Sequence, residues 1–151
     1  MPPLIGTIRI RTVCLMTELL WHYTKRSRLV SILRSGVILV SATGFEVSAR
    51  PAVWFSRHPE WEATVGNHPR ARIGVAPETA PYDWQAFQNL SGVGALTAEG
   101  LALAAEEMGG DPNHWFVSFE PVPRDKWLSV EVHHDGGKWH VLKRTLARIS
   151  G

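Results

Sequence analysis

Hydrophobic and polar residues alternate with a period of two near the start of this chain. Over residues 18–24 the alternation predicts a strand with His22 and Thr24 on one face and Trp21 and Tyr23 on the other. A second stretch, residues 52–56, alternates in the same way and places Trp54 and Ser56 on one face. Both strands carry polar side chains among large aromatic ones.

Between these strands the apolar spacing changes to three and four residues. Leu29, Ile32 and Leu33 share one face of a predicted helix, with Ser27 as its N-cap and Gly36 at its end. Residues 37–40 are expected to form a short strand, and residues 41–51 a polar loop.

The rest of the chain predicts further short elements. A proline at position 59 favours a short helix over residues 59–65, and residues 77–96, rich in proline and glycine, are expected to be irregular. Thr97 is expected to cap a helix that runs to Met108. Further strands are expected over residues 72–76 and 115–119, and a hairpin over residues 128–133 and 138–142. Roughly five to seven strands and three helices predict an α+β fold with a mainly antiparallel sheet.

The composition fits a soluble globular domain. The chain has 151 residues, of which 44% are hydrophobic and 20% charged. No apolar run approaches the roughly 18 residues of a membrane-spanning helix, so no membrane partner is expected. Residues 1–15 are predicted to be a disordered N-terminal extension and residues 16–151 a single domain. Cys14 is the single cysteine, which favours a reducing cytoplasm.

Charge is distributed unevenly along the chain. Residues 1–75 contain ten Lys/Arg against four Asp/Glu, and residues 76–151 contain six against ten. A basic half is typical of proteins that bind an anionic ligand or a nucleic acid, although a solvated surface accounts for it equally well.

His22 and Thr24 are the first candidate for chemistry. An imidazole and a hydroxyl two residues apart on one strand face can bind the hydroxyls of a sugar or a carboxamide. The alternative is a structural histidine at the end of a strand. Trp54, which shares a strand face with Ser56, is the tryptophan best placed to stack on a base or on nicotinamide.

The segment His22-Tyr23-Thr24, followed by Leu29, Ile32-Leu33 and Gly36, resembles the opening of the ADP-ribosyltransferase-like superfamily. That group includes NAD-consuming toxins and RNA 2′-phosphotransferases. Residues 52–56 look like the second strand of its fold, and the resemblance covers residues 19–65. It implies a split, mainly antiparallel sheet that binds NAD as a substrate in a cleft between two half-sheets.

The resemblance also implies roles for individual residues. His22 would hold the ribose next to nicotinamide, with Tyr23 and Thr24 beside it, while Trp54 stacks on the ring and Ser56 lies at the pocket edge. A glutamate on a later strand would stabilise the positive charge that develops as nicotinamide leaves. Glu120 is the first candidate for this catalytic carboxylate and Glu131 the second.

Basic residues suggest where phosphates would bind. Arg50 could bind a diphosphate through its planar guanidinium, and the cations near the first helix lie close in sequence to the same cleft: Lys25, Arg26, Arg28 and Arg34. The acceptor of ADP-ribose would be a nucleic acid or a protein, and a toxin paired with an antitoxin is compatible with such a domain.

Two other functions remain open on the sequence. The first is RNA 2′-phosphate transfer to NAD, which would depend on arginines more than on the glutamate. The second is a non-catalytic module that binds a nucleotide or a nucleic acid. His133 and His140 could face each other across the predicted hairpin, but no cysteine or carboxylate completes a metal-ligand spacing, so no metal is expected.

Overall fold

A seven-stranded antiparallel sheet organises the structure. The computed structural model describes residues 18–41, 49–65, 70–134 and 137–144. Nine strands are found in these ranges: β1 (Leu20–Thr24), β2 (Val37–Ile38), β3 (Val53–Ser56), β4 (Ala71–Val75), β5 (Tyr82–Asp83), β6 (Trp115–Ser118), β7 (Val122–Pro123), β8 (Trp127–His133) and β9 (Trp139–Arg144). The same ranges contain three α-helices: α1 (Arg26–Ser35), α2 (Trp84–Ser91) and α3 (Ala95–Glu107). The predicted class, α+β with a mainly antiparallel sheet, is confirmed.

The strand order in the large sheet is β5-β6-β3-β1-β4-β8-β9, and β2 pairs with β7 in a separate two-stranded sheet. The central strands differ in how firmly they are paired. β1 and β4 are matched along five residue pairs, whereas β1 and β3 are matched only at Trp21 and Ser56. The sheet is therefore joined at its centre by a short contact.

The register between the strands sorts their side chains into two faces. Residues directly opposite each other in an antiparallel pair point to the same side. Because Leu20 lies opposite Val75 and His22 opposite Ile73, these side chains share one face with Val53 and Phe55, here called the core face. Helix α1 packs on this face through Leu29. The core face holds the larger hydrophobic cluster.

The opposite side of the sheet, here called the cavity face, is more aromatic and more polar. Trp21 lies opposite both Ser56 and Gly74, and Tyr23 lies opposite Arg72. The next strand adds Glu131 opposite Arg72. Helix α2 covers one end of this face, where its Phe87 packs with Ala52, Val117, Phe119 and Trp54.

Gly74 is required by the close approach of Trp21. A Cβ atom at position 74 would lie 2.8 Å from Cζ3 and 3.1 Å from Cε3 of the Trp21 ring. Glycine in the middle of a strand normally weakens it, so this glycine marks a place where a side chain lies on the backbone. The indole of Trp21 is in turn covered by the guanidinium of Arg72, whose Cζ lies 3.8 Å from the ring centroid.

Several predicted helix ends differ from the structure. Helix α1 begins at Arg26 with Lys25 as its N-cap, so the expected capping role of Ser27 is wrong, whereas its end at Gly36, with φ of 73°, is confirmed. Helix α3 begins at Ala95 with Gly94 as its N-cap, so Thr97 does not cap it. In both cases the N-cap residue has an extended backbone and makes no capping hydrogen bond through a side chain.

The structure of two segments differs from the one predicted from the sequence. The expected irregular stretch 77–96 contains β5 and α2, which begins where the Asp83 side chain accepts a hydrogen bond from the Ala86 N–H and ends at Gly92 with φ of 79°. The expected helix over residues 59–65 is reduced to one 3₁₀ turn, Ala63–Val65. The hairpin is confirmed as β8 and β9, although part of its turn lies outside the described residues, as does the whole predicted extension 1–15.

The described helices include none that is both long enough and apolar enough to cross a membrane.

We expect Gly74→Ala to destabilise the protein by about 1–3 kcal/mol, because the new methyl group must displace the ring of Trp21. Urea unfolding followed by circular dichroism measures this change. The matched control is Gly100→Ala, because, apart from the neighbouring backbone of its own helix, nothing in the described structure lies within 4 Å of the position that its Cβ would take. The control should gain about 0.5–1 kcal/mol, the ordinary preference of a helix for alanine over glycine. Equal unfolding midpoints in the two variants would contradict the proposed packing of Trp21 on Gly74.

Candidate active site

A cavity of about 370 Å³ lies on the cavity face, between the sheet and helix α3. Its floor is formed by strands β1, β3 and β6, and helices α2 and α3 and the 3₁₀ turn Ala63–Val65 contribute its walls. The residues that line it are mostly aromatic and aliphatic: Trp21, His22, Tyr23, Trp54, Phe55, Ser56, Glu62, Thr64, Val65, Trp84, Leu101, Ala104, Ala105, Met108 and Trp115. Thr64, Ala104 and Met108 are exposed, so the cavity opens between the 3₁₀ turn and α3.

Three tryptophans meet at one wall of the cavity. Trp115 stands perpendicular to both Trp54 and Trp84, with ring centroids 6.1 Å and 5.2 Å away. Phe87 supports Trp54 from behind in an edge-to-face contact of 4.5 Å. Edge-to-face packing of this kind fixes the ring orientations. The wall therefore offers a rigid aromatic surface to a bound molecule.

Glu62 is the acidic residue among the lining residues, and it is buried, with 6% of its surface exposed. Its Oε1 accepts hydrogen bonds from the Trp115 Nε1–H at 3.2 Å and from the Thr64 hydroxyl and N–H at 2.8 Å and 3.4 Å. Its Oε2 forms no hydrogen bond with any residue that the structure describes. One carboxylate oxygen is therefore fixed, and the other is available to a ligand.

Gly110 allows the chain to pass close to Glu62. A Cβ atom at Gly110 would lie 3.4 Å from Oε1 of Glu62 and 3.2 Å from the Ala105 carbonyl oxygen. The Gly110 N–H donates to that same carbonyl at 2.7 Å, which closes the end of α3. The end of the helix is thus held against the carboxylate.

The predicted site residues reach the cavity only in part. His22, Tyr23, Trp54 and Ser56 all border it. Thr24 is buried and does not line it, because its side chain points to the core face opposite Ala71. Four of the site residues predicted from the sequence therefore lie around one cavity.

The two remaining predicted residues lie away from the cavity. Arg50 is exposed, and its guanidinium stacks 4.3 Å from the ring centroid of Phe119. Glu120 is exposed beyond the end of β6, where its backbone carbonyl and N–H bond the Ser118 hydroxyl at 2.8 Å and 3.2 Å. Neither side chain is among those that line the cavity. Glu62, and not Glu120, is a carboxylate that lines the cavity.

His22 joins the two halves of the sheet. Since a carbonyl can only accept, the Nδ1–H of His22 donates to the Trp54 carbonyl at 2.8 Å, close to the single residue pair that joins β1 and β3. The register directs its side chain to the core face, where its ring lies 5.8 Å from that of Phe55. Burial is the main cause that lowers the pKa of His22 below its usual 6.5; the hydrogen bond to the Trp54 carbonyl opposes this shift, and the charge of Arg28 adds to it. The imidazole is therefore neutral and bound to backbone.

Glu131, the second candidate glutamate, is already paired. It binds the guanidinium of Arg72 through contacts of 2.8 Å and 3.2 Å, and its Oε2 accepts from the Ser129 hydroxyl at 2.7 Å. Both side chains of the ion pair are 8% exposed, and neither lines the cavity. A carboxylate held in this way balances a buried cation.

The histidines of the hairpin do not form the arrangement considered from the sequence. His133 lies opposite Trp139 and His140 opposite Val132, so the two imidazoles are not cross-strand partners. The described residues include no group of three or more metal-ligating side chains. The basic residues of α1 belong to the helix that packs on the core face, on the other side of the sheet from the cavity.

Comparisons with protein-family models, with curated proteins and with solved structures find no match to this chain.

Lowering the pH should lower the free energy of unfolding, because His22 has different pKa values in the folded and the unfolded chain. Above about pH 6.5 the histidine is neutral in both states; below it the unfolded chain takes up a proton that the folded chain, with its lowered pKa, does not. The contribution of neutral His22 to the free energy of unfolding is therefore fully present above pH 6.5. It decreases as the pH falls from 6.5 towards the lower pKa of the folded state. In His22→Asn the side-chain amide can still donate to Trp54 but does not titrate. Urea unfolding from pH 7.5 to 5 should therefore show a flatter pH dependence in the variant, and an identical dependence would contradict this account.

Proposed function

We propose that this protein binds NAD with the nicotinamide ring in the cavity and acts as an ADP-ribosyltransferase-like enzyme. The observation that carries the proposal is the presence of four tryptophan rings and the Glu62 carboxylate in one cavity. The oxidised nicotinamide ring is planar and positively charged. Aromatic faces attract cations through their quadrupoles, and a carboxylate attracts them directly, so both features complement a pyridinium ring.

The proposed reaction needs a carboxylate near the bond that breaks. When the bond between nicotinamide and ribose breaks, nicotinamide leaves with the bonding electron pair, and the positive charge moves from the ring to the ribose. A fixed carboxylate stabilises this developing charge. We assign this role to Glu62, in place of Glu120, because its Oε2 has no other hydrogen bond among the described residues. A nucleic-acid or protein nucleophile would then take up the ADP-ribose.

The size of the cavity supports the binding of one end of the dinucleotide. Pockets for small molecules usually enclose about 300–1,000 Å³, and this cavity is near the lower limit of that range. It would take the nicotinamide ring and its ribose through the opening near Met108, while the diphosphate and the adenosine extend outside.

Binding without turnover is the second candidate function. It is favoured by the three hydrogen bonds that Glu62 Oε1 already accepts, since these would also suit a purely structural carboxylate. RNA 2′-phosphate transfer has less support, because it requires arginines at the site and none of the described arginines lines the cavity. The two candidates that remain differ in a measurable product, free nicotinamide.

The direct test compares NAD⁺ with NADH by calorimetry, because the two share all groups except the charged ring. We expect wild-type protein to prefer NAD⁺. Glu62→Gln should weaken NAD⁺ binding about tenfold, equivalent to about 1.4 kcal/mol, and leave NADH binding nearly unchanged. Glu120→Gln is the matched control, because it neutralises an exposed glutamate outside the cavity. No heat with millimolar NAD⁺ and folded protein would refute the proposal, and an equal loss in both variants would refute the assignment of Glu62.

Catalysis is tested by chromatography of nicotinamide after incubation with NAD⁺, with water taking up the ADP-ribose in place of the acceptor. Transferase-type chemistry predicts nicotinamide release that falls at least about a hundredfold in Glu62→Gln, the scale on which loss of one electrostatic group reduces turnover. Binding with no release in the wild-type protein would instead support the non-catalytic function.

A further inference from the structure

Three side chains from three strands bind three consecutive backbone carbonyls just before Glu62. The Tyr23 hydroxyl donates to the carbonyl of His58 at 2.5 Å, Arg72 donates to that of Pro59, and the Trp139 Nε1–H donates to that of Glu60 at 2.9 Å. These donors belong to β1, β4 and β9. A loop whose carbonyls are each held by a separate strand has little freedom to move relative to the sheet.

The same loop also binds itself. The Ser56 hydroxyl accepts from the His58 N–H at 3.1 Å, and the His58 Nδ1 accepts from the N–H groups of Glu60 and Trp61 at 3.2 Å and 3.3 Å. The carbonyls of this loop are bound by side chains of the sheet, and its N–H groups are bound by the side chains of Ser56 and His58. Both sets of hydrogen bonds fix the backbone of residues 58–61. Glu62 follows directly, so its entry into the cavity is set by this loop.

The donors are held in turn by a buried ion pair. Arg72 lies between two indole rings, with its Cζ 3.8 Å from the centroid of Trp21 and 4.2 Å from that of Trp139, and it is neutralised by Glu131. Its Nη1 also donates to the Tyr23 hydroxyl at 3.4 Å. Burial raises the pKa of Tyr23 to about 12, so its hydroxyl keeps the proton that it donates to His58.

We propose that Tyr23, Arg72 and Trp139 are positioning residues that hold residues 58–60 so that the Glu62 carboxylate stays in the cavity. This inference rests on the proposed function, because Glu62 is the carboxylate assigned there to the charged ring. Arg72 and Trp139 do not line the cavity, so their effect on a ligand is exerted through the loop backbone and Glu62, whereas Tyr23 also borders the cavity.

The first test uses the protein without any ligand. Because Trp115 donates to Glu62, the indole N–H resonance of Trp115 in a ¹⁵N-labelled sample reports the position of the carboxylate. Its assignment comes from Trp115→Phe. Tyr23→Phe and Trp139→Phe each remove one donor and keep a ring, and both should move this resonance in the direction produced by Glu62→Gln. Substitution of Arg72 is avoided, because it would leave Glu131 buried without a cation.

Two matched controls separate positioning from general loss of stability. Tyr82→Phe removes a hydroxyl from an exposed tyrosine outside the cavity. Trp127→Phe removes an indole hydrogen bond, to the Val122 carbonyl at 3.2 Å, from within the core-face cluster. The second control should lower the unfolding midpoint while leaving the Trp115 resonance in place. If Tyr23→Phe and Trp139→Phe also leave it in place, the proposal is wrong, whatever the protein binds.

The second test measures ligand preference. Loss of one positioning hydrogen bond should weaken NAD⁺ binding about fivefold in Trp139→Phe, whose side chain lies outside the cavity, with little change for NADH, because only the charged ring depends on where the carboxylate lies. If the substitution had only a structural effect, it would weaken the binding of both NAD⁺ and NADH or of neither. Either result would overturn the proposal. If Glu62→Gln alone changes the preference for NAD⁺, the proposed function stands and this inference fails.

Discussion

The constraint on which the candidate site depends is the burial of Arg72. A guanidinium removed from water needs a counter-ion and hydrogen-bond acceptors, since its desolvation otherwise costs several kcal/mol. Glu131, placed directly opposite by the β4–β8 register, supplies the charge. The remaining donors of Arg72 draw in the carbonyl of Pro59, and with it the loop that ends at Glu62. The cavity thus receives its carboxylate partly because the sheet contains a cation that must be satisfied.

The aromatic residues of the cavity face make this burial feasible. Trp21 and Trp139 cover the two sides of the guanidinium, and cation–π contacts of this kind gain strength when water is excluded. The indole of Trp21 can reach that position only because Gly74 carries no side chain beneath it. One glycine in β4 therefore determines where the arginine lies, and the arginine determines the path of the loop beside the cavity.

Much of the sheet could be predicted from the sequence, because alternation within a strand depends only on local periodicity. The faces assigned to His22 and to Trp54 were both correct. Whether His22 and Trp54 point to the same side of the sheet depends on the register between β1 and β3. The alternation within either strand does not encode this register. Glu62 was missed because an acidic residue after Pro59 is also what the first turn of a helix would carry. Helix α2, with Asp83 as its N-cap and Gly92 at its end, was missed because the density of proline and glycine in residues 77–96 favoured a loop.

The register also changes the role that His22 can have. Because Trp21 lies opposite Ser56, Trp54 shares a face of the sheet with Trp21, and His22 points to the other face. His22 and Trp54 therefore cannot both direct their rings into a cavity on one side of the sheet. What His22 does contact is the backbone of Trp54, at the point where β1 and β3 are joined by one residue pair. A ligand that stacks on the cavity-face tryptophans would therefore depend on His22 through the position of β3. In this fold the histidine of the first strand links the two halves of the sheet through one backbone hydrogen bond, and Glu62 is the carboxylate that we propose attracts the charged ring.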